Sequence, residues 1–284
     1  MHARHCQGRL GAGVVWKGWG MKRDVSARIV LNVAEPADLV FAIAVAAGYR
    51  ADESFTASLD GRPVEHRELP DAHGTRLHRL TSGTGEIVVE YTASIDGRAA
   101  PAPASETDLL VYTRPSRYAE SDSLLPTAAA EFGGITRPAE ILAAVSSWVG
   151  TRLAYVSGSS LPTDGALRTL LARQGVCRDY AHLSVALLRA LGIPARLAAV
   201  YAPGLSPMDF HAVAEAWVDG RWCAVDATTL APRGSLVRIA TGRDAADTAF
   251  LNVMSGRADV VGMTVSAVVD DLPADDLHRL VSIT

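Results

Sequence analysis

The chain has 284 residues, 49% of them hydrophobic and 20% charged, which is enough apolar mass for a sizeable core and for more than one domain. A formal net charge of -4, with arginines spread rather than clustered, excludes the basic footprint of a nucleic-acid binder. The 3 cysteines, Cys6, Cys177 and Cys223, form no CxxC pair, which excludes a disulfide framework and a four-cysteine zinc site.

The opening MHARHCQGRLGAGVVWKGWG is basic, but its apolar part is short and glycine-broken. It reads as a poorly ordered N-terminal extension over 1–21 rather than a signal peptide, and a cytoplasmic location is expected. The strongest apolar run, LVFAIAVAA at 39–47, falls well short of the roughly 20 residues a spanning helix needs, so no membrane partner is expected. From Val25 the odd positions Ala27, Ile29, Leu31 and Val33 are apolar, the period-two pattern of a half-buried strand. SFTASLDGRPVEHREL carries Asp60-Gly61 between alternating runs, a hairpin signal, and EIVVEYTASIDG is a further strand. An antiparallel β-sandwich is therefore expected over 22–97, followed by a proline- and alanine-rich linker at 98–107.

Beyond the linker, RPAEILAAVSSWVGTRLAY places Ile141, Val145, Trp148 and Val149 on one helical face, with Pro138 suited to the first turn. ARLAAVYAPG, FHAVAEAWVDG, RWCAVDATT and, near the end, VSAVVDDL read as strands. Helices first and a sheet afterwards predict an α+β domain over 108–284.

Between them lies QGVCRDYAHLSVALLRALGIPAR, residues 174–196. Tyr180, Leu183, Ser184, Leu187, Leu188 and Leu191 share one face, and Gly192 and Pro194 stop the helix. Cys177 therefore opens a helix, where unsatisfied N–H groups and the positive end of the macrodipole favour an anion. Free cysteine is more often a small buried hydrophobe, and Cys223, in the strand RWCAVDA, reads as packing. A nucleophilic cysteine needs a base, and the base an orienting group. His211 opens one strand and Asp226 follows the next, with the turn residues 219–221 between. Pairing those strands brings His211 opposite or diagonal to Asp226, with the second ring nitrogen left for Cys177. Cys177, His211 and Asp226 are thus the candidate catalytic residues.

GVCRDYAHLSVALLRALGIPAR, DFHAVAEAWVDGRWCAVDAT and GRDAADTAF together resemble the bacterial transglutaminase-like family of papain-like cysteine enzymes, over roughly 108–284. The resemblance implies a papain-like α+β catalytic domain behind a small β domain, and it assigns the nucleophile to Cys177, the histidine to His211 and the aspartate to Asp226. Where the family often has Trp two residues after the histidine this chain has Val213, and where it often has Pro after the aspartate it has Ala227. Asp179 and Tyr180 match family positions too, but the helix dipole and packing account for them.

These residues predict a thiol hydrolase acting on amide bonds of peptide or protein substrates, with no cofactor. The 8 histidines show no HExxH spacing, and no metal is expected. The Cys177 N–H is the natural oxyanion donor, with Gln174 a candidate for the second. The alternatives are acyl transfer to an amine, as in protein cross-linking, and a non-catalytic binding or scaffolding protein that keeps the fold.

Overall fold

The alternation from Val25 to Val33 builds the first half of the molecule. The computed structural model describes residues 20–284, so the expected poorly ordered extension falls almost wholly outside the described residues. Strand β1 (Lys22–Phe41) turns Val25, Ala27, Ile29, Leu31 and Val33 onto one buried face. β2 (Ala51–Leu59) and β3 (Arg62–Pro63) form the expected hairpin, and Asp60 (φ 49°) and Gly61 (φ 76°) supply the two left-handed residues of its turn. β4 (Arg67–Pro70), β5 (Arg76–Ser82) and β6 (Gly85–Asp96) complete the run.

These strands make one antiparallel sheet in the order β3-β2-β6-β1-β5-β4. β1 pairs with β6 over Lys22–Val33 and with β5 over Ala37–Phe41. The switch falls at Pro36, which has no N–H to give a ladder. Past it the sheet folds over on itself: Phe55 of β2 stacks on His78 of β5 with ring centroids 4.0 Å apart. Arg76 of β5 reaches Glu53 of β2 at 2.7 Å. The expected sandwich is thus a single bent sheet whose two halves face each other.

The second half begins with α1 (Glu106–Val111), capped by Ser105 with Asp108 reciprocating. Then come α2 (Leu125–Phe132), α3 (Pro138–Arg152, its proline in the first turn), β7 (Ala154–Tyr155), α4 (Ala166–Ala172), β8 (Gln174–Gly175) and α5 (Cys177–Ala190). β9 (Ala195–Tyr201), β10 (His211–Val218), β11 (Arg221–Val225) and β12 (Val237–Gly242) form a four-stranded antiparallel sheet in the order β11-β10-β9-β12. Helices precede the sheet, as expected for α+β.

α5 lies at the centre. Leu183, Leu187 and Leu188 are wholly buried among α2, α3 and the sheet. The expected single apolar face is only part of the helix, because His182 and Arg189 on its other side are buried as well. The His182 Nε2 accepts the Ala245 N–H at 3.1 Å at the start of the short helix α6 (Ala245–Thr248), and Arg189 donates to the Ala195, Arg114 and Arg243 carbonyls. Those hydrogen bonds satisfy polar groups that would otherwise be costly to bury.

The expected second domain, 108–284, does not keep its last strand to itself. The last strand, β13 (Leu251–Val269), does not join the second sheet; it pairs antiparallel with β1 from Arg23↔Val269 to Phe41↔Leu251. VSAVVDDL is part of a strand, as expected, but Val265 and Ala267 bury themselves in the core of the first half. The two halves also share that core, since Tyr201, Val237 and Ile239 of the second sheet belong to it. The Tyr201 hydroxyl donates to the Ile43 carbonyl at 2.8 Å across the seam. Among the described residues no helix is long and apolar enough to cross a membrane.

Candidate active site

The turn before α5 sets the position of Cys177. Val176 is the N-cap, extended at φ −116° and ψ −177°, and its N–H is accepted by the Asp179 Oδ2 at 2.8 Å. Asp179 is 1% exposed, so its role is that of a buried cap, in keeping with an acid in a first helical turn. To cap in this way the carboxylate folds back over Gly175, where a Cβ would stand 2.6 Å from the Asp179 Cβ. Only glycine leaves that room. Replacing Gly175 with Ala should displace Asp179 and cost about 1–3 kcal/mol, read as a lower denaturant midpoint at constant m-value. Beside this turn Arg178 donates to the Ser160 Oγ at 2.7 Å and to the Leu161 carbonyl, tying down the chain ahead of α4. Cys177 itself is half-buried.

Register brings His211 and Asp226 together. β10 and β11 pair with Ala214 opposite Val225, so Asp226 continues the ladder diagonal to His211. The His211 Nε2 and the Asp226 Oδ2 are 2.8 Å apart, with both residues almost fully buried. The other carboxylate oxygen, Oδ1, accepts from the Thr228 N–H at 2.9 Å and the Thr228 hydroxyl at 2.7 Å, so the Asp-x-Thr segment orients its own acid. With Nε2 taken, Nδ1 is the nitrogen left for the Cys177 thiol, and it has no other partner.

Burial works against a charged ring at His211. The Asp226 carboxylate, by charge and hydrogen bond, and then the Cys177 thiol outweigh it and push His211 up to about 10. Asp226 moves the opposite way: burial would raise its carboxyl, but His211 and Thr228 hold it below the ordinary carboxylate range. An imidazolium–carboxylate pair therefore persists across neutral pH. A cavity of about 510 Å³ opens beside it, bordered by Tyr155, Tyr180, Asp226 and Thr228.

All three sequence-derived candidates meet here. Cys223 is fully buried in the core packed on α5, and burial raises its thiol. Tyr180 is buried and donates to the Leu153 carbonyl at 2.8 Å, a packing role. Val213 is 1% exposed and belongs to a small core with Val200 and Ala224, so the departure at that position is a buried packing change. Gln174 is exposed, its backbone engaged in the β7–β8 pair. Tyr155 went unread in the sequence: its ring lies 5.9 Å from that of Tyr180 and borders the cavity, and burial, then the nearby Cys177, pushes its phenol up to about 12.

Helices ahead of an antiparallel sheet, with a cysteine opening the central helix and a histidine–aspartate pair on the strands facing it, define the papain-like α+β class. Within that class, the family model of the transglutaminase-like superfamily matches residues 126–227. The crystal structure of a protein from Cytophaga hutchinsonii proposed to be a cysteine protease is similar at 34% identity and a TM-score of 0.84, over 92% of this chain and 96% of that one. The chain belongs to the transglutaminase-like superfamily. Among curated proteins, ML0607 of Mycobacterium leprae is 30% identical over 132 residues, 42% of this chain and 46% of that protein. Rv2569c of Mycobacterium tuberculosis is 28% identical over 233 residues, 67% of this chain and 72% of that protein. Both bear the name uncharacterized protein, and the chain spans less than half the length of the first.

Proposed function

We propose that the protein is a cysteine hydrolase of peptide or protein amide bonds, with Cys177 as nucleophile, His211 as proton carrier and Asp226 as the group that fixes the imidazole. The observation that carries this reading is the His211 ring itself, locked at 2.8 Å by Asp226 with Nδ1 reserved for the thiol of a helix-opening cysteine. The Cys177 sulfur attacks the carbonyl carbon and the carbonyl π pair moves onto oxygen. Collapse breaks the C–N bond while the Nδ1 proton passes to the departing nitrogen, leaving an acyl-thioester. Water then attacks the thioester and gives its proton back to Nδ1; the C–S bond breaks and the acid leaves. Water is favoured over an amine as acceptor because a competing acceptor needs a site of its own.

The test is a pH profile on two substrates. Amide cleavage needs the imidazolium proton for its leaving group, and that proton is lost as pH rises through about 10. Cleavage of a peptide pool, followed by mass spectrometry, should therefore fall above that pH, while turnover of p-nitrophenyl acetate, whose leaving group needs no proton, should not. Replacing His211 with Ala should slow iodoacetamide labelling of Cys177 roughly tenfold at pH 6.5. Unchanged labelling in that variant would contradict the pairing, and a C–N product formed from an added amine would move the reaction to acyl transfer.

A further inference from the structure

β13 is 19 residues long and has a single neighbour. It pairs with β1 from Arg23↔Val269 to Phe41↔Leu251, and among the described residues no strand lies against its other side. An edge of that length presents a row of unpaired N–H and C=O groups, which proteins blunt with lysine, proline or a covering segment. β13 contains neither lysine nor proline. Six of its large apolar side chains, from Val253 to Val268, are more than a third exposed. The two most exposed, Met254 at 63% and Val261 at 62%, are the residues that β13 inserts at bulges against β1. A bulge re-aims a side chain, and both of these send an apolar group out to solvent.

The charges of the strand say what covers this edge. Its charged residues are Arg257 and Asp259 alone, both exposed and separated by Ala258 near the middle of the strand. Across the β1 ladder they stand opposite Glu35 and Asn32, and among the described residues neither forms an ion pair within the chain. Residues two apart lie on the same face of a strand. When two copies of β13 run antiparallel about a twofold axis through Ala258, Arg257 of each copy therefore stands directly opposite Asp259 of the other. Continued outward, the same register sets Val260 opposite Gly256 and Met254 opposite Gly262, so that a large side chain meets a residue without one. It also sets Val253 opposite Met263, both exposed in the single chain. A slip of one residue in either direction loses both charge pairs.

We propose that the outer edge of β13 is a dimer interface, paired antiparallel with the same edge of a second copy of this chain about an axis through Ala258. The contact is isologous and closes on itself, joining two seven-stranded sheets edge to edge and leaving neither copy of β13 as an open edge. A second copy fits because the strand carries its cation and its anion in the order that its own reversal complements. The pairing is independent of the chemistry at Cys177.

Sedimentation velocity of the full chain across the micromolar range tests this. Wild type should reach twice the chain mass at the upper end of the range. Arg257→Asp alone sets carboxylate against carboxylate in both charge pairs, and Asp259→Arg alone sets guanidinium against guanidinium. Each should raise the dissociation constant at least about tenfold, since like charges directly opposite one another are destabilising. Arg257→Asp combined with Asp259→Arg exchanges the charges and should return the dissociation constant to within about threefold of wild type. That recovery is a readout that misfolding of a single variant could not produce. Wild type that stays monomeric throughout would overturn the proposal. So would a single variant that dimerises like wild type, or a double variant no better than the singles.

Discussion

Cys177→Ala should abolish turnover of both peptide amides and p-nitrophenyl acetate, a loss of at least about 10⁴-fold, without lowering the unfolding midpoint. The proposed thiol mechanism sets that size, since water without the thiol would have to attack the carbonyl directly. The unchanged stability follows from position. Cys177 is half-buried at a helix start whose capping comes from Asp179 and Gly175, so losing one sulfur removes no cap and opens no closed cavity. Cys223→Ala supplies the opposite pattern. That thiol is fully buried in the core packed on α5, so its loss should cost about 1 kcal/mol of stability and leave turnover near wild type. Iodoacetamide should accordingly label the peptide containing Cys177 and spare the one containing Cys223, read by mass spectrometry. Activity that persisted in Cys177→Ala would remove the thiol mechanism and favour a different reacting group.

Much of this arrangement is legible in the sequence, and the reason is local. Alternation in FHAVAEAWV and RWCAV, joined by a tight turn, admits only registers that leave His211 opposite or diagonal to Asp226. The glycine-bearing turn before CRDYAHL and the Gly-x-Pro after it bracket a helix that has to begin at Cys177. What escaped was non-local. Only the end of β13, VSAVV, reads as a strand, and nothing in its pattern says that its partner is β1, more than two hundred residues earlier. β12 is buried along its whole length and shows no alternation to distinguish it. Tyr155 sits in a strand of two residues, too short for any periodicity, and its meaning comes only from the segment beside it. Charge misleads in the same way: Arg196, Glu215 and Arg238 occupy sequence positions that look solvent-facing, and all three are buried.

That buried trio sets the largest expected effect on stability. The Glu215 Oε2 accepts from the Arg196 Nε at 2.9 Å and from Arg238 at 2.7 Å, and its Oε1 accepts from Arg238 at 2.6 Å. One carboxylate therefore holds two guanidinium groups inside the second sheet. Burial would raise Glu215, but Arg238 and then Arg196 pull it down to about 2. Arg196 has no acceptor for either terminal nitrogen and lies 3.9 Å over the Trp222 ring, so the aromatic face and Glu215 are what offset its burial. Glu215→Gln keeps the shape and removes the charge, leaving two cations in the core without a counter-ion. Breaking a buried pair from one side costs about 3–5 kcal/mol, a large fraction of the 5–15 kcal/mol that typically separates folded from unfolded. Urea unfolding should show that loss as a lower midpoint, nearly independent of added salt because the charges are screened from solvent ions. The pH dependence has a definite sign. A carboxyl held below its ordinary value stabilises the fold fully above that value and progressively less as pH falls toward about 2, so wild type should lose its advantage over Glu215→Gln on acidification. Glu215 shares β10 with His211, so the same substitution should also lower turnover at temperatures where the variant is still folded. A variant with unaltered urea midpoint would mean that the two arginines find other partners when the carboxylate goes.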